Sequence, residues 1–299
     1  MTLTDGELTV NANGNACGAV WPRSKEKQGN SLSLAYYYVS YGVDDSFFFV
    51  PPSFNPHRLP PFFNVRSRRP QPTPPEIRSS ALAARTAKLR LCADGGANRV
   101  YDELPQLFPH EDPSDIRRRY KPDLIKGDMD SIRKEVMDFY ASLGTKVVDE
   151  SHDQDTTDLH KCVAYIRDCT PNLEKSNLRI LVAGALGGRF DHEAGNINVL
   201  YRFSDIRIIL LSDDCHIQLL PKTHRHDIYI QSSVEGPHCG LIPIGMPSGS
   251  TSTTGLQWDL DNTETRFGGL VSTSNIVKGE KVTVRSDSDL LWTISIKNQ

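Results

Sequence analysis

Between Ala81 and about Asp214, short apolar runs alternate with segments whose apolar residues recur every three or four positions. LRLCA (89–93), DLI (123–125), TKVVD (145–149), LRILVAGAL (178–186) and IRIILLS (206–212) read as strands. Ile132, Val136, Phe139, Tyr140 and Leu143 mark one helix face, with Asp130 or Ser131 as its N-cap and Gly144 where a left-handed residue ends a helix. Leu159, Cys162, Val163 and Ile166 mark a second, capped by Thr156 or Thr157. NRVYDEL (98–104), GGRFDHEAGNINVLYRF (187–203) and the strong helix former ALAARTAKL (81–89) supply three more. Near-continuous apolar strands separated by helices predict an α/β domain with a parallel sheet covered on both faces.

Beyond Asp214 the helical period stops. IQLL, DIYI, GLIPI, TTGLQWDL, LVSTSN, KVTVRS and LLWTISI alternate with turn signals, which predicts an all-β sandwich or barrel. Residues 1–80 differ from both: AYYYVS (35–40) and FFFV (47–50) are aromatic, and proline crowds positions 51–75. Proline at that density excludes a regular helix or central strand, so the segment reads as an atypical, Pro-rich and disordered extension. The expected organisation is 1–80 as that extension, 81–214 as a nucleotide-binding α/β domain and 215–299 as a β domain.

Composition narrows the class. A net charge of -3 with scattered Lys and Arg gives no broad basic face for nucleic acid. No apolar run is long enough to span a bilayer. The start lacks a basic-then-apolar pattern, which points to the cytosol. The six cysteines are widely spaced with no C-x-x-C pair, as expected of reduced thiols, and His224 and His226 read as turn or strand residues rather than ligands.

Candidate chemistry gathers where strands give way to helices, the edge at which open parallel sheets bind ligands. Asp94, Gly95, Gly96 and Asn98 follow the first strand, and Asp128 and Asp130 follow DLI. Asp153, Gln154, Asp155 and Asp158 follow KVVD; Gly187, Gly188, Arg189 and Asp191 follow LVAGAL. Any one junction reads equally well as an Asx turn or cap. Four on one edge would repel one another unless a hard divalent cation relieved the charge, and Mg²⁺ suits an all-oxygen set shared with substrate phosphates. Glycine turns at helix starts and the guanidinium of Arg189 favour phosphate oxygens, which together describe metal-assisted phosphoryl transfer. Neither a G-x-x-x-x-G-K-[ST] loop nor a G-x-G-x-x-G turn after a strand is present.

CADGGANR (92–99), GDMDSI (127–132), DQDTTD (153–158), GGRFDH (187–192), TTGLQW (253–258) and LVSTSN (270–275), in this order, resemble the eukaryotic thiamine pyrophosphokinase family, plant members most of all. The resemblance implies an α/β domain followed by a β-sandwich, a homodimer with its site between subunits, and transfer of the pyrophosphoryl group of ATP to thiamine. It implies that Asp94, Asp128, Asp130 and Asp158 form the acidic catalytic site, with Asp128, Asp130 and Asp158 on Mg²⁺. Gly95, Gly96, Asn98, Gln154, Thr157, Arg189 and Asp191 would then surround ATP, and Trp258, Ser272, Thr273, Ser274 and Asn275 would hold thiamine. A tryptophan face attracts the thiazolium cation, although Trp258 reads equally well as a core residue, as Trp292 does. One departure stands out: the apolar strand that opens the family's α/β domain is not recognisable. AYYYV and FFFV are the tracts available to replace it. If neither does, the chain is an impaired thiamine or nucleotide binder; a simple kinase moving the γ-phosphoryl group is the other alternative.

Overall fold

A computed structural model describes residues 37–42, 89–172, 175, 178–212 and 214–297. In chain order, β1 (Tyr37–Gly42) and β2 (Leu89–Ala93) precede α1 (Gly96–Asp102), a short 3₁₀ turn at Leu104–Leu107, and α2 (Pro113–Arg119). β3 (Leu124–Gly127), α3 (Lys134–Ser142), β4 (Lys146–Asp149), α4 (Asp158–Cys169), β5 (Arg179–Ala183), α5 (Phe190–Arg202) and β6 (Arg207–Leu211) complete the α/β part. Eight strands follow: β7 (Cys215–Leu220), β8 (His226–Tyr229), β9 (Glu235–Ile242), β10 (Ser248–Thr254), β11 (Thr263–Thr265), β12 (Ser272–Ile276), β13 (Lys281–Ser286) and β14 (Leu290–Ile296).

The sheets do not divide as the chain does. One ten-stranded sheet, ordered β12-β9-β14-β7-β6-β5-β1-β2-β3-β4, runs through both parts, and a four-stranded sheet β11-β10-β13-β8 covers its β end. β2, β3 and β4 are parallel, as are β5 and β6. Between these blocks lies β1, antiparallel to both neighbours, with Tyr37 paired to Ala93 and Tyr38 to Ala183. Part of the AYYYVS tract thus fills the slot that the family resemblance leaves open; FFFV and the ALAARTAK stretch lie outside the described residues.

Amphipathic helices close both faces of the α/β sheet. On one, Val100, Ile116, Val136 and Tyr140 pack with Cys92 and Ile125; on the other, Leu159, Val163, Ile166, Val199 and Leu200 pack with Leu91, Leu124, Ile180 and Val182. A third core, Leu220, Leu241, Val282, Val284, Trp292 and Ile294, joins the two sheets into the sandwich. Among the described residues, no helix is long and apolar enough to cross a membrane, and five cysteines are free thiols.

One helix is added to those read from the sequence, and one expectation changes. α2 carries little apolar periodicity and escapes a reading by pattern; it starts at Pro113 behind Asp112, whose carboxylate accepts from the N–H groups of Ser114 (2.7 Å) and Asp115 (3.3 Å). α3 begins at Lys134 after Arg133, which offers no side-chain cap, so neither Asp130 nor Ser131 is its N-cap. Both stay in the preceding loop, where other contacts hold them.

Candidate active site

The parallel strands end at one edge, and four of their loops build the site. β2 runs into Asp94, whose backbone is left-handed at φ 38°. Its N–H bonds to the carbonyl of Lys126 on β3 (3.0 Å), and its carboxylate, buried, accepts from the N–H groups of Ser131 (2.9 Å) and Ile132 (3.1 Å). Asn98, on the first turn of α1, donates to the Ser131 carbonyl (2.9 Å) and accepts from the Arg133 N–H (3.0 Å). The loop after β2 therefore clamps the loop after β3.

That second loop turns through Met129 at φ 63° and presents Asp128. Asp158 begins α4, whose cap is the Thr157 hydroxyl accepting from the His160 N–H (3.3 Å). The carboxylates of Asp94, Asp128 and Asp158 converge, each with an oxygen within 4.8 Å of the others. Gly127 makes the convergence possible. A Cβ there would stand 2.6 Å from the Asp94 Cβ and 3.0 Å from the Asp158 Oδ1, inside contact distance. Burial pushes the Asp158 carboxyl up to about 6, helped by the charge of Asp128 and opposed by Lys161. Burial also raises Asp94, against the bonds it accepts from Ser131 and Ile132. Three acids crowded over a glycine form an all-oxygen nest, which fits a hard divalent cation.

Asp130 stands beside this nest rather than in it. Its carboxylate accepts from the Ser131 hydroxyl (2.7 Å), which holds it below the usual range, and its N–H leans on Asp128 Oδ1 at 3.4 Å. Gly95 caps α1 and packs on Ser131, and Gly96 is buried in the same helix. Gln154 donates to the Ser151 carbonyl (2.9 Å) in the exposed loop before α4, where Asp153 gathers the N–H groups of Asp155 (3.0 Å) and Thr156 (3.2 Å). Arg189 and Asp191 pair with each other at the exposed head of α5 (Nε to Oδ1, 3.1 Å), following Gly187 and Gly188, which both adopt positive φ.

The remaining candidates lie at the far end of the ten-stranded sheet. Trp258 is 55% exposed, so it is no core residue, whereas Trp292 is 0% exposed in the sandwich core. Asn275 fixes the tryptophan loop to β12: its Oδ1 accepts from the Trp258 N–H (3.2 Å) and its Nδ2 donates to the Trp258 carbonyl (2.9 Å). Nδ2 also reaches the buried Ser272 hydroxyl (3.2 Å). Thr273 and Ser274, the latter at φ 55°, remain exposed on the same strand.

The pattern reading passed over one charged residue, Lys161. Buried on the inward face of α4, it places its Nζ 3.5 Å from Asp158 Oδ1. The three-residue spacing from Asp158 was the available signal.

Two family models match the chain: "Thiamin pyrophosphokinase, catalytic domain" over residues 81–210 and "Thiamin pyrophosphokinase, vitamin B1 binding domain" over 225–291. β1 lies outside both. Thiamine pyrophosphokinase 1 of Arabidopsis thaliana is 77% identical over 211 residues, covering 71% of this chain and 79% of the relative. Thiamine pyrophosphokinase 1 of Oryza sativa subsp. japonica is 70% identical over 212 residues, covering 71% and 80%. The crystal structure of yeast thiamin pyrophosphokinase superposes with a TM-score of 0.62 at 26% identity, covering 72% of this chain and 80% of that one. Thiamin pyrophosphokinase from Candida albicans superposes at 0.60 with 25% identity, covering 87% and 99%. With its two parts matched in order, and with the strand-end acids and the β12 tryptophan loop in place, the chain belongs to the thiamin pyrophosphokinase family.

Proposed function

We propose that this protein transfers the pyrophosphoryl group of ATP to thiamine. The hydroxyethyl oxygen of thiamine attacks the β-phosphorus and loses its proton, and the bond from the β-phosphorus to the α–β bridging oxygen breaks. The products are thiamine diphosphate and AMP. The observation that carries this reading is the convergence of Asp94, Asp128 and Asp158 over Gly127 in a chain of this family.

The residues up to 214 take the nucleotide in this reading, and those from 215 take the vitamin. Asp94, Asp128 and Asp158 would hold Mg²⁺, which when bound neutralises charge on the ATP phosphates. Asp130, held by Ser131 in the same loop as Asp128, would add a further carboxylate beside that set. Asp94 is also structural, since it aims the loop bearing Asp128. The exposed Arg189 is free to leave Asp191 for a phosphate, as guanidinium groups prefer bidentate anionic partners. Trp258 supplies an exposed ring for the thiazolium cation, an attraction of roughly 0.5–2 kcal/mol.

Within one chain these two halves stand far apart in the sheet order. From β12 to β2 there are seven strand steps in the sheet order, on the order of 30 Å at about 4.8 Å each. That separation supports a homodimer in which each site pairs the carboxylates of one copy with the Trp258 loop of the other.

Incubation with ATP, Mg²⁺ and thiamine tests the reaction: AMP and thiamine diphosphate are expected. ADP as the nucleotide product would instead mean γ-phosphoryl transfer. Stabilisation of the melt by both substrates without turnover would reduce the chain to a binder.

A further inference from the structure

Lys161 is an unusual cation for the buried face of a helix. Its side chain is 4% exposed, and it lies on α4 among the buried Leu159, Cys162 and Val163. An ammonium that deep needs a partner. Asp158 Oδ1, at 3.5 Å, belongs to the carboxylate nest. The neighbouring buried ammonium, Lys126, is taken by Glu150 instead. Lys161 is thus a buried positive charge joined to the three acids through Asp158.

We propose that Lys161 is a positioning residue that serves as a built-in counter-charge. It anchors Asp158 Oδ1 in the nest and cuts the net charge of the Asp94, Asp128 and Asp158 group from three negative to two. This lowers the affinity of the nucleotide-free protein for divalent ions. Affinity at all-oxygen sites rises with the number of ligand charges, and a fixed positive charge within 4 Å of one ligand opposes the incoming ion. The ion then binds firmly only when ATP adds its own phosphate oxygens. This inference rests on the proposed role of the nest as a divalent-cation site.

The test is titration of the full chain with Mn²⁺ in the absence of nucleotide, reading the free-ion paramagnetic resonance signal, with melts run alongside. Lys161→Met should bind Mn²⁺ about tenfold or more tightly than the native chain, whereas Lys161→Arg, which keeps the charge, should stay within about twofold. Asp128→Asn is the control and should weaken binding. A folded Lys161→Met variant with native Mn²⁺ affinity would overturn the proposal. If Lys161→Met gives no cooperative melt, Lys161→Gln takes its place. Failure of both to fold would mark Lys161 as a folding residue and likewise sink the idea. Tighter Mn²⁺ binding in a protein that makes no thiamine diphosphate would uphold the counter-charge while discarding the proposed reaction.

Discussion

At the scale of single residues, the acidic site depends on what is missing as much as on what is present. Gly127 leaves the space into which Asp94 and Asp158 pack, and Gly127→Ala would drive a Cβ to 2.6 Å from the Asp94 Cβ. Overpacking of this kind costs about 1–3 kcal/mol. The variant should melt lower and lose most turnover; native melting with native turnover would show that the three acids need not converge. Asp158 gives a pH prediction for the metal-free protein. Its folded value, about 6, lies above the ordinary 3.8, so between those limits the folded state binds more protons than the unfolded one. The stability this contributes is complete below the lower limit and is lost as pH rises through the upper. In EDTA, the melting temperature of the native chain should therefore fall relative to Asp158→Asn from about pH 4 to pH 7. A difference constant with pH would refute the burial argument. The acids were legible as residue types at strand ends. The family resemblance also grouped Asp94, Asp128, Asp130 and Asp158, but spacing alone cannot show that Asp94 reaches over Gly127 while Asp130 turns to Ser131.

At the scale of elements, the strands and the longer helices followed directly from apolar periodicity, since each buries one stripe or two faces. Two features did not. The start of α3 is displaced because Asp94 and Asn98, some 35 residues upstream, take up the loop's backbone groups (|i−j| of 33 to 38), a long-range effect invisible to local capping rules. β1 was the more demanding case. YYVSYG is short and aromatic, as a strand can be, but nothing in its own residues gives its direction. Running antiparallel, it enters the sheet at the edge carrying Asp94 and leaves at the opposite edge. With ladders on both sides, it holds β2 to β5 through backbone bonds that any side chain could accompany except proline. Val39 pairs with Leu91 on one side and Val182 on the other. Val39→Pro should remove a ladder donor and cost at least about 1–3 kcal/mol, seen as a lower urea midpoint. An unchanged midpoint would mean that β1 does not bridge the two blocks.

At the scale of the whole molecule, the β end is no appendage, because β7, β14, β9 and β12 extend the sheet that carries the acids. That continuity separates the carboxylates from the Trp258 loop, which Asn275 ties to the far edge strand β12. A sequence reading can name both sets of residues without learning this, since strand order is not written in strand pattern. The geometry makes a firm demand if the two halves serve one reaction. On that reading Asp128→Asn should disable the carboxylate half of a copy and Trp258→Ala should weaken its vitamin half, so each variant alone should turn over poorly at low thiamine. In a two-fold dimer built from one of each, one site inherits both defects and the other inherits neither. Random exchange makes about half the dimers mixed, so mixing equal amounts, unfolding and refolding together should restore roughly a quarter of the native rate. If each chain instead completed its own site, the mixture would give only the average of the two weak variants. Recovery well above that average, rising and falling with the mixing ratio and greatest near equal amounts, is the expected result.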